Sequence, residues 1–409
     1  MLIGCMARAG WKKPESETRL SDLVSVGLLA RVFPPDLVDE VIAGCGRTEL
    51  RNRSLPARTM AYFALGLGLH SQGSYRDVLG LMTDGLAWAG SGVALVRLPS
   101  ASAIFQARER LGAEPLKALF DRVAQPLATP ETPGSWLAGR LLVAIDGTTL
   151  DVADTVDNDA FFGRPGVSKG ERSAFPQARL VVLAECGTHV MFDAELGPCT
   201  TSELALAKVL VDRLKPGMVL LADRGFTGFA LWKQASATGA DLIWRAKTSV
   251  TPRHIVTFDD GSWLGELRLN NTKLSTEHVV VRVVDYDIDD GRGAPSGPYR
   301  LFTTMVDPDE VTATELADAY GQRWEIESVF DELKTHQRGS KIVLRSKSPA
   351  LVEQEIWGYL CCHYAIRTLM LAAAHDAAVD PDRVSFVAAL RIIHRSLSQA
   401  RGFSPSGHN

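Results

Sequence analysis

The stretch YGQRWEIESVFDELK, Tyr320 to Lys334, spaces a tyrosine, an arginine, a glutamate and a lysine so that one helix would align them. With about 100° per residue and Tyr320 at 0°, Arg323 falls near ~300°, Glu327 near ~340° and Lys334 near ~320°. The four share a stripe about 60° wide. Ile326, Val329, Phe330 and Leu333 form an apolar face beside it, and Glu325, Ser328 and Glu332 a solvated face opposite. An i,i+4 Arg323–Glu327 pair on an ordinary amphipathic helix has the same spacing, so the stripe acquires chemical meaning only with partners elsewhere.

Two aspartates qualify. Asp146 lies in the apolar run LLVAIDGTTL, and Asp223 ends the apolar run VLLAD. A carboxylate at such a place is costly to bury unless it is paired or bound to a metal. Loop capping explains either one singly. Together with Glu327 they make a hard-cation site of oxygen ligands, suited to Mg²⁺. Two such ions about 4 Å apart activate a nucleophile and stabilise the leaving oxygen in phosphoryl transfer.

The elements that must position these residues are legible as patterns. Residues 1–16 read as irregular. From Leu20 to Leu127 apolar residues recur at helical spacing, as in ARTMAYFALGLGLH and AIFQARERLGAEPLKALFDRVAQPL. LATPETPGS, 127–135, reads as a linker. RLLVAIDGTTLDV is a strand, and ARLVVLAEC and HVMFDAEL form a hairpin around Gly187 and Thr188. TSELALAKVLVDRLK is a helix with a Thr/Ser start, GMVLLADRGF a buried strand, TGFALWKQASATG a helix and ADLIWRAK a strand. The order is β, β, β, α, β, α, β. Alternating strands dominate 248–307, and SPALVEQEIWGYLCCHYAIRTLMLAAA is helical. The chain shows no internal repeat and no low-complexity segment.

With 409 residues, 46% hydrophobic and 22% charged, the chain can bury a large core in two or three domains. Its six cysteines have no CxxC or zinc-ligand spacing, which fits a reduced, cytosolic protein. No signal peptide is evident, and no apolar run is long enough to span a membrane. The net charge of −4 argues against nucleic acid globally. Locally it does not. KTHQRGSKIVLRSK (334–347) carries five Lys/Arg and no acid, RTELRNRSLPAR (47–58) four Arg and one Glu, and the tail after Asp382 only Arg383, Arg391, Arg395 and Arg401. Such runs are either solvated surface or phosphate-binding patches.

The chain resembles the DDE transposases of the insertion-sequence-four family, whose catalytic domain is RNase H-like. Tyr320, Arg323, Glu327 and Lys334 match that family's Y-x2-R-x3-E-x6-K motif without departure. DGTTLDVADTVDNDAFFGRPG, with Asp146, Asp154, Thr155, Asn158 and Gly163, resembles its first-aspartate region, and ADRGF, Ala222 to Phe226, its second. RNRSLPARTMAYFALGLGLHSQGSYRDVLGLM and SAIFQARERLG resemble its N-terminal domain. The resemblance covers roughly residues 18 to 375.

It implies an α/β (α+β) fold: a helical N-terminal DNA-binding domain (18–127), an RNase H-like core in two parts (138–247 and 308–375), an inserted β-rich subdomain (248–307) and a helical C-terminal tail (376–409). It implies cut-and-paste transposition on double-stranded DNA, at element ends and target, by a homodimer. Asp146, Asp223 and Glu327 would hold two Mg²⁺, with Mn²⁺ able to substitute. Tyr320, Arg323 and Lys334 would grip DNA beside the scissile end. Lys341, Arg245 and Lys247 are further phosphate contacts, Trp263 a stacking surface for a flipped base, and Gln106, Arg108 and Arg110 candidates for reading the terminal repeat. Two other readings remain open: a Mg²⁺ nuclease of the same fold without strand transfer, and a DNA-binding protein without catalysis.

Overall fold

A computed structural model describes residues 26–51, 53–88, 99–166, 173–268, 277–287, 299–339 and 343–400. Helices α1 (Val26–Val32), α2 (Pro35–Gly44), α3 (Ala57–Leu69), α4 (Tyr75–Trp88), α5 (Ala101–Leu111) and α6 (Glu114–Val123) come first. The strands are β1 (Trp136–Leu137), β2 (Arg140–Asp151), β3 (Gln177–Glu185), β4 (Met191–Pro198), β5 (Met218–Ala222), β6 (Asp241–Ala246), β7 (Arg253–Thr257), β8 (Trp263–Arg268), β9 (His278–Tyr286) and β10 (Tyr299–Thr303). Among them run α7 (Val156–Phe162), α8 (Glu203–Val211) and α9 (Phe229–Ser236). After them come α10 (Ala313–Gly321), α11 (Glu325–Asp331), α12 (Pro349–Ala377) and α13 (Phe386–Ala400).

One mixed sheet runs in the order β4-β3-β2-β5-β6-β10-β9-β8-β7. β2 pairs antiparallel with β3 and β3 with β4, while β2, β5 and β6 are parallel. Counting from β2, the first five strands stand in the order 3-2-1-4-5, the arrangement of an RNase H-like core. The 248–307 strands extend that same sheet, because β10 pairs with β6. Both faces of β2 and β5 are covered, which explains their unbroken apolar runs. Leu142 and Ala144 of β2, with Val219 and Leu221 of β5, face the helical side. Leu141, Val143 and Ile145, with Leu220 and Ala222, face α8 and α9.

The N-terminal helices share a core with this sheet through α12. The closest crossing uses glycines: a Cβ on Gly358 would lie 2.6 Å from the Ala64 carbonyl oxygen, and one on Gly68 would lie 2.8 Å from that of Gly358. Only the missing side chains allow α3 and α12 to approach so closely.

Arg108 corrects an expectation. It does not face DNA; it is fully buried. Its guanidinium donates to Gln354 Oε1 (2.8 Å), Tyr75 Oη (2.8 Å), Ser346 Oγ (3.1 Å) and the Leu351 carbonyl (3.1 Å). It ties α5 to α12. Arg108→Ala strands three buried acceptors, on Gln354, Ser346 and Leu351, at roughly 1–3 kcal/mol each before relaxation. The expected result in urea unfolding is a loss of several kcal/mol of stability. A variant as stable as wild type but weaker on DNA would restore the DNA-contact reading.

Candidate active site

The parallel register of β2 and β5 pairs Ile145 with Ala222. The next residues, Asp146 and Asp223, therefore start about one strand spacing, ~4.8 Å, apart. Residue parity sends both side chains toward the helical face. Asp223 leaves the strand there, as the residue before the 3₁₀ turn Arg224–Phe226. Glu327 arrives from α11, which packs against β2.

Arg323 links the set. It is nearly buried, with its guanidinium 3.8 Å from Asp146 Oδ2 and 3.6 Å from Glu327 Oε1. Arg245 of β6 stands 3.8 Å from Asp223 Oδ1 and lies over the Tyr299 ring at 4.0 Å. Lys334 donates to Thr148 Oγ1 at 3.0 Å, two residues beyond Asp146 on the same strand face. Tyr320 is buried beneath Arg323, whose guanidinium lies 5.9 Å from its ring, and its hydroxyl has no hydrogen-bond partner. Burial pushes the Tyr320 phenol well above its ordinary pKa.

The helix carrying these residues is not uniform, which corrects the single-helix expectation. α10 passes into a 3₁₀ turn, Gln322–Trp324, then α11, then a π-helical segment, Glu332–Gln337. The apolar residues are buried as the periodicity predicts. Glu332, expected on the solvated face, is buried too. Its carboxylate takes Arg367 Nε (2.9 Å), Arg367 Nη2 and His363 Nε2 (3.0 Å). The wider π turn accommodates this network while Lys334 reaches Thr148.

Electrostatics match a cation site. Burial raises the Asp146 pKa, opposed by the Gly147 amide and Arg323 and reinforced by Glu203 and Asp223. Asp223 Oδ1 is buried without a hydrogen bond. The arginines stand beyond hydrogen-bonding distance, so they leave carboxylate lone pairs open. The donor set is all oxygen. These features fit a hard divalent ion.

Another group, His189, Glu325 and Asp382, brings ligand atoms within 4.8 Å of one another. Its chemistry suits a metal poorly. Arg367 Nη2, a donor only, lies 2.6 Å from His189 Nδ1 and so requires the lone pair there. The other ring nitrogen, Nε2, lies 3.1 Å from Asp382 Oδ1 and makes no hydrogen bond there. The Arg367 guanidinium, attracted by Asp382 and Glu325, already supplies the cation of this group.

The other expected contacts divide. Lys247 is exposed where β6 ends, beyond half-buried Arg245. Arg110 is half-buried and Gln106 exposed on α5. Trp263 is not brought to the carboxylates of its own chain. Through Val283, Phe302 and Trp244 it stands four strands from Ala222, about 19 Å. It also faces the α8–α9 side, with Arg300 6.0 Å from its ring. Lys341 lies outside the described residues.

Sequence reasoning missed three neighbours. Thr148 follows Asp146 by two, the strand period that places it on the same face. Trp324 is half-exposed and stacks on Arg323, with 5.0 Å between guanidinium and ring. Glu203 occupies the space that a Gly147 side chain would fill and pairs with Arg179 at 3.2 Å. No local pattern announces that long-range approach.

Comparison with known proteins identifies the family. Residues 23–121 match the family described as Insertion element 4 transposase N-terminal, and residues 137–365 the family described as Transposase DDE domain. The chain is similar to Transposase InsG for insertion sequence element IS4 of Escherichia coli (strain K12), 29% identical over 385 residues, covering 92% of this chain and 84% of that protein. It is also similar to Putative transposase InsZ of the same organism, 24% identical over 220 residues, covering 54% of this chain and 71% of that protein. The chain belongs to the insertion-sequence-four family of DDE transposases, and it is an insertion-sequence DNA transposase.

Proposed function

We propose that the chain cuts double-stranded DNA at the terminal inverted repeats of its element and joins the freed ends to target DNA, with Asp146, Asp223 and Glu327 holding two Mg²⁺ ions that Mn²⁺ can replace. The observation that carries this reading is the β2–β5 register, which sets Asp146 beside Asp223 with Arg323 reaching from Asp146 to Glu327. When bound, such ions lower the pKa of water and stabilise charge on the leaving oxygen. In the first step water attacks the phosphodiester at the element end, leaving a 3′-hydroxyl and a 5′-phosphate. In the second that 3′-hydroxyl attacks a target phosphodiester and displaces a target 3′-hydroxyl.

The protein's own task is positioning and charge. Arg323, held under the site by Tyr320 and Trp324, keeps two carboxylates oriented. Lys334, its pKa lowered by burial, presents a cation from a fixed position on Thr148. Lys247 and Arg245 extend positive charge along the end of β6, and Trp324 offers a half-exposed ring for base stacking. Cutting two ends assigns the work to a homodimer on DNA. The DNA of the element places this work in the bacterial cytosol, and no helix among the described residues is long and apolar enough to cross a membrane.

The test uses purified protein, MgCl₂, a labelled duplex carrying the flanking terminal repeat, and a target plasmid. Nicking at the repeat end followed by joining is the expected result. Specific binding with no cleavage under Mg²⁺ or Mn²⁺ would overturn the proposal, and cleavage without joining would reduce it to a nuclease.

A further inference from the structure

A cleft of about 330 Å³ lies between the loop after α2 and the C-terminal end of α5. Arg47, Arg51, Arg53 and Arg110 line it, with one acidic residue, Glu49. Glu49 is already engaged, accepting the Ala57 amide at the start of α3 (3.0 Å). Arg47 is braced by Glu114 at 3.0 Å and reaches the Arg110 carbonyl at 3.5 Å. Arg51 and Arg53 are exposed, and neither has an ion pair among the described residues. Arg110 Nε is buried with no hydrogen-bond partner. Four guanidinium groups therefore converge with donors left over. None of Asp146, Asp223 and Glu327 lines the cleft.

We infer that this cleft is a phosphate grip for DNA backbone in the N-terminal helical unit, separate from the carboxylate site. The inference rests on the DNA reading above. Guanidinium forks match phosphate oxygens, and an orphaned buried N–H gains a partner when an anion enters. Among the described residues that line the cleft four are arginines and none is aromatic, a lining whose chemistry favours phosphate oxygens over a stacked base. The neighbouring arginines of α5 thus divide their roles. Arg108 points inward as a structural tie, and Arg110 faces the cleft.

The experiment measures binding of full-length protein to a labelled duplex carrying the terminal repeat, without divalent metal, from 50 to 250 mM KCl. Arg51→Ala/Arg53→Ala is compared with a double variant of equal charge outside the cleft, Arg31→Ala/Arg122→Ala. Each lost phosphate contact lowers the log–log salt slope by about 0.9, so the cleft variant loses about 1.8. Its affinity near 150 mM falls about tenfold or more, and the control stays within about threefold. Arg110→Ala weakens binding in the same direction. An unchanged slope in the cleft variant would overturn the inference. So would a cleft that binds tripolyphosphate in an arginine-dependent manner while DNA affinity is unaffected, because its ligand is then a free polyphosphate. A wild type that binds with the expected slope but never cuts would sink the proposed function and leave the grip standing.

Discussion

Asn at position 223, or Gln at 327, is expected to abolish DNA cleavage while leaving DNA binding intact. Neither substitution disturbs packing. Asp223 sits at a strand end and Glu327 is half-exposed, and their ion-pair partners among the described residues are Arg245 at 3.8 Å and Arg323 at 3.6 Å. What each removes is a negative oxygen from the proposed metal site. Charge stabilisation by metal supplies several kcal/mol, and each ~1.4 kcal/mol is a factor of ten in rate. The expected fall in single-turnover cleavage is therefore about 10³-fold or more, with duplex affinity within about threefold of wild type. Asp146→Asn behaves in the same way, because its Oδ1 contact to the Gly147 amide (2.8 Å) survives in asparagine. Cleavage retained within about tenfold in any of the three would remove that residue from the centre.

The second large effect is on stability. Glu332 is buried and receives both Arg367 and His363. Burial lowers the Arg367 pKa to about 10 against the opposing charges of Asp382 and Glu325, so this guanidinium keeps its charge only among carboxylates. Breaking a buried pair by deleting one member costs about 3–5 kcal/mol, because the other charge is left uncompensated. Glu332→Ala should therefore shift urea unfolding by that amount. It should also weaken cleavage in the folded fraction, since the π segment that positions Lys334 begins at this residue. Glu332→Leu/Arg367→Met, which replaces both members by apolar groups, recovers much of the stability. A loss below about 1 kcal/mol in Glu332→Ala would show that the network does not hold the segment.

Much of this architecture was readable from local pattern. The apolar runs around Asp146 and Asp223 gave the strands, the hairpin at Gly187 formed as expected, and the β, β, β, α, β, α, β order became β2 through β6 with α8 and α9, except that the short helix α7 between β2 and β3 was not expected. Long-range partners were hidden. An ideal 100° period placed Glu332 outward, whereas a 3₁₀ turn precedes it in the helix and its buried partners, Arg367 and His363, lie more than thirty residues away. Arg108 was a candidate for reading the terminal repeat because the four partners that bury it lie on other elements, out of reach of local pattern. The four-strand distance of Trp263 from the carboxylates of its own chain depends on where β8 enters the sheet, which no local pattern shows. Glu203 was legible as a helix start, and its approach to Gly147 is a tertiary event.

The most direct measurement of the central claim locates the metal itself. Fe²⁺ bound in place of Mg²⁺, with ascorbate and peroxide, generates hydroxyl radicals that cut the polypeptide near the ion. The predicted fragments end near residues 146, 223 and 327, and excess Mg²⁺ suppresses them. Cuts near residues 189 and 382, with none near 146 and 223, would place the ion at the His189 group and contradict the account.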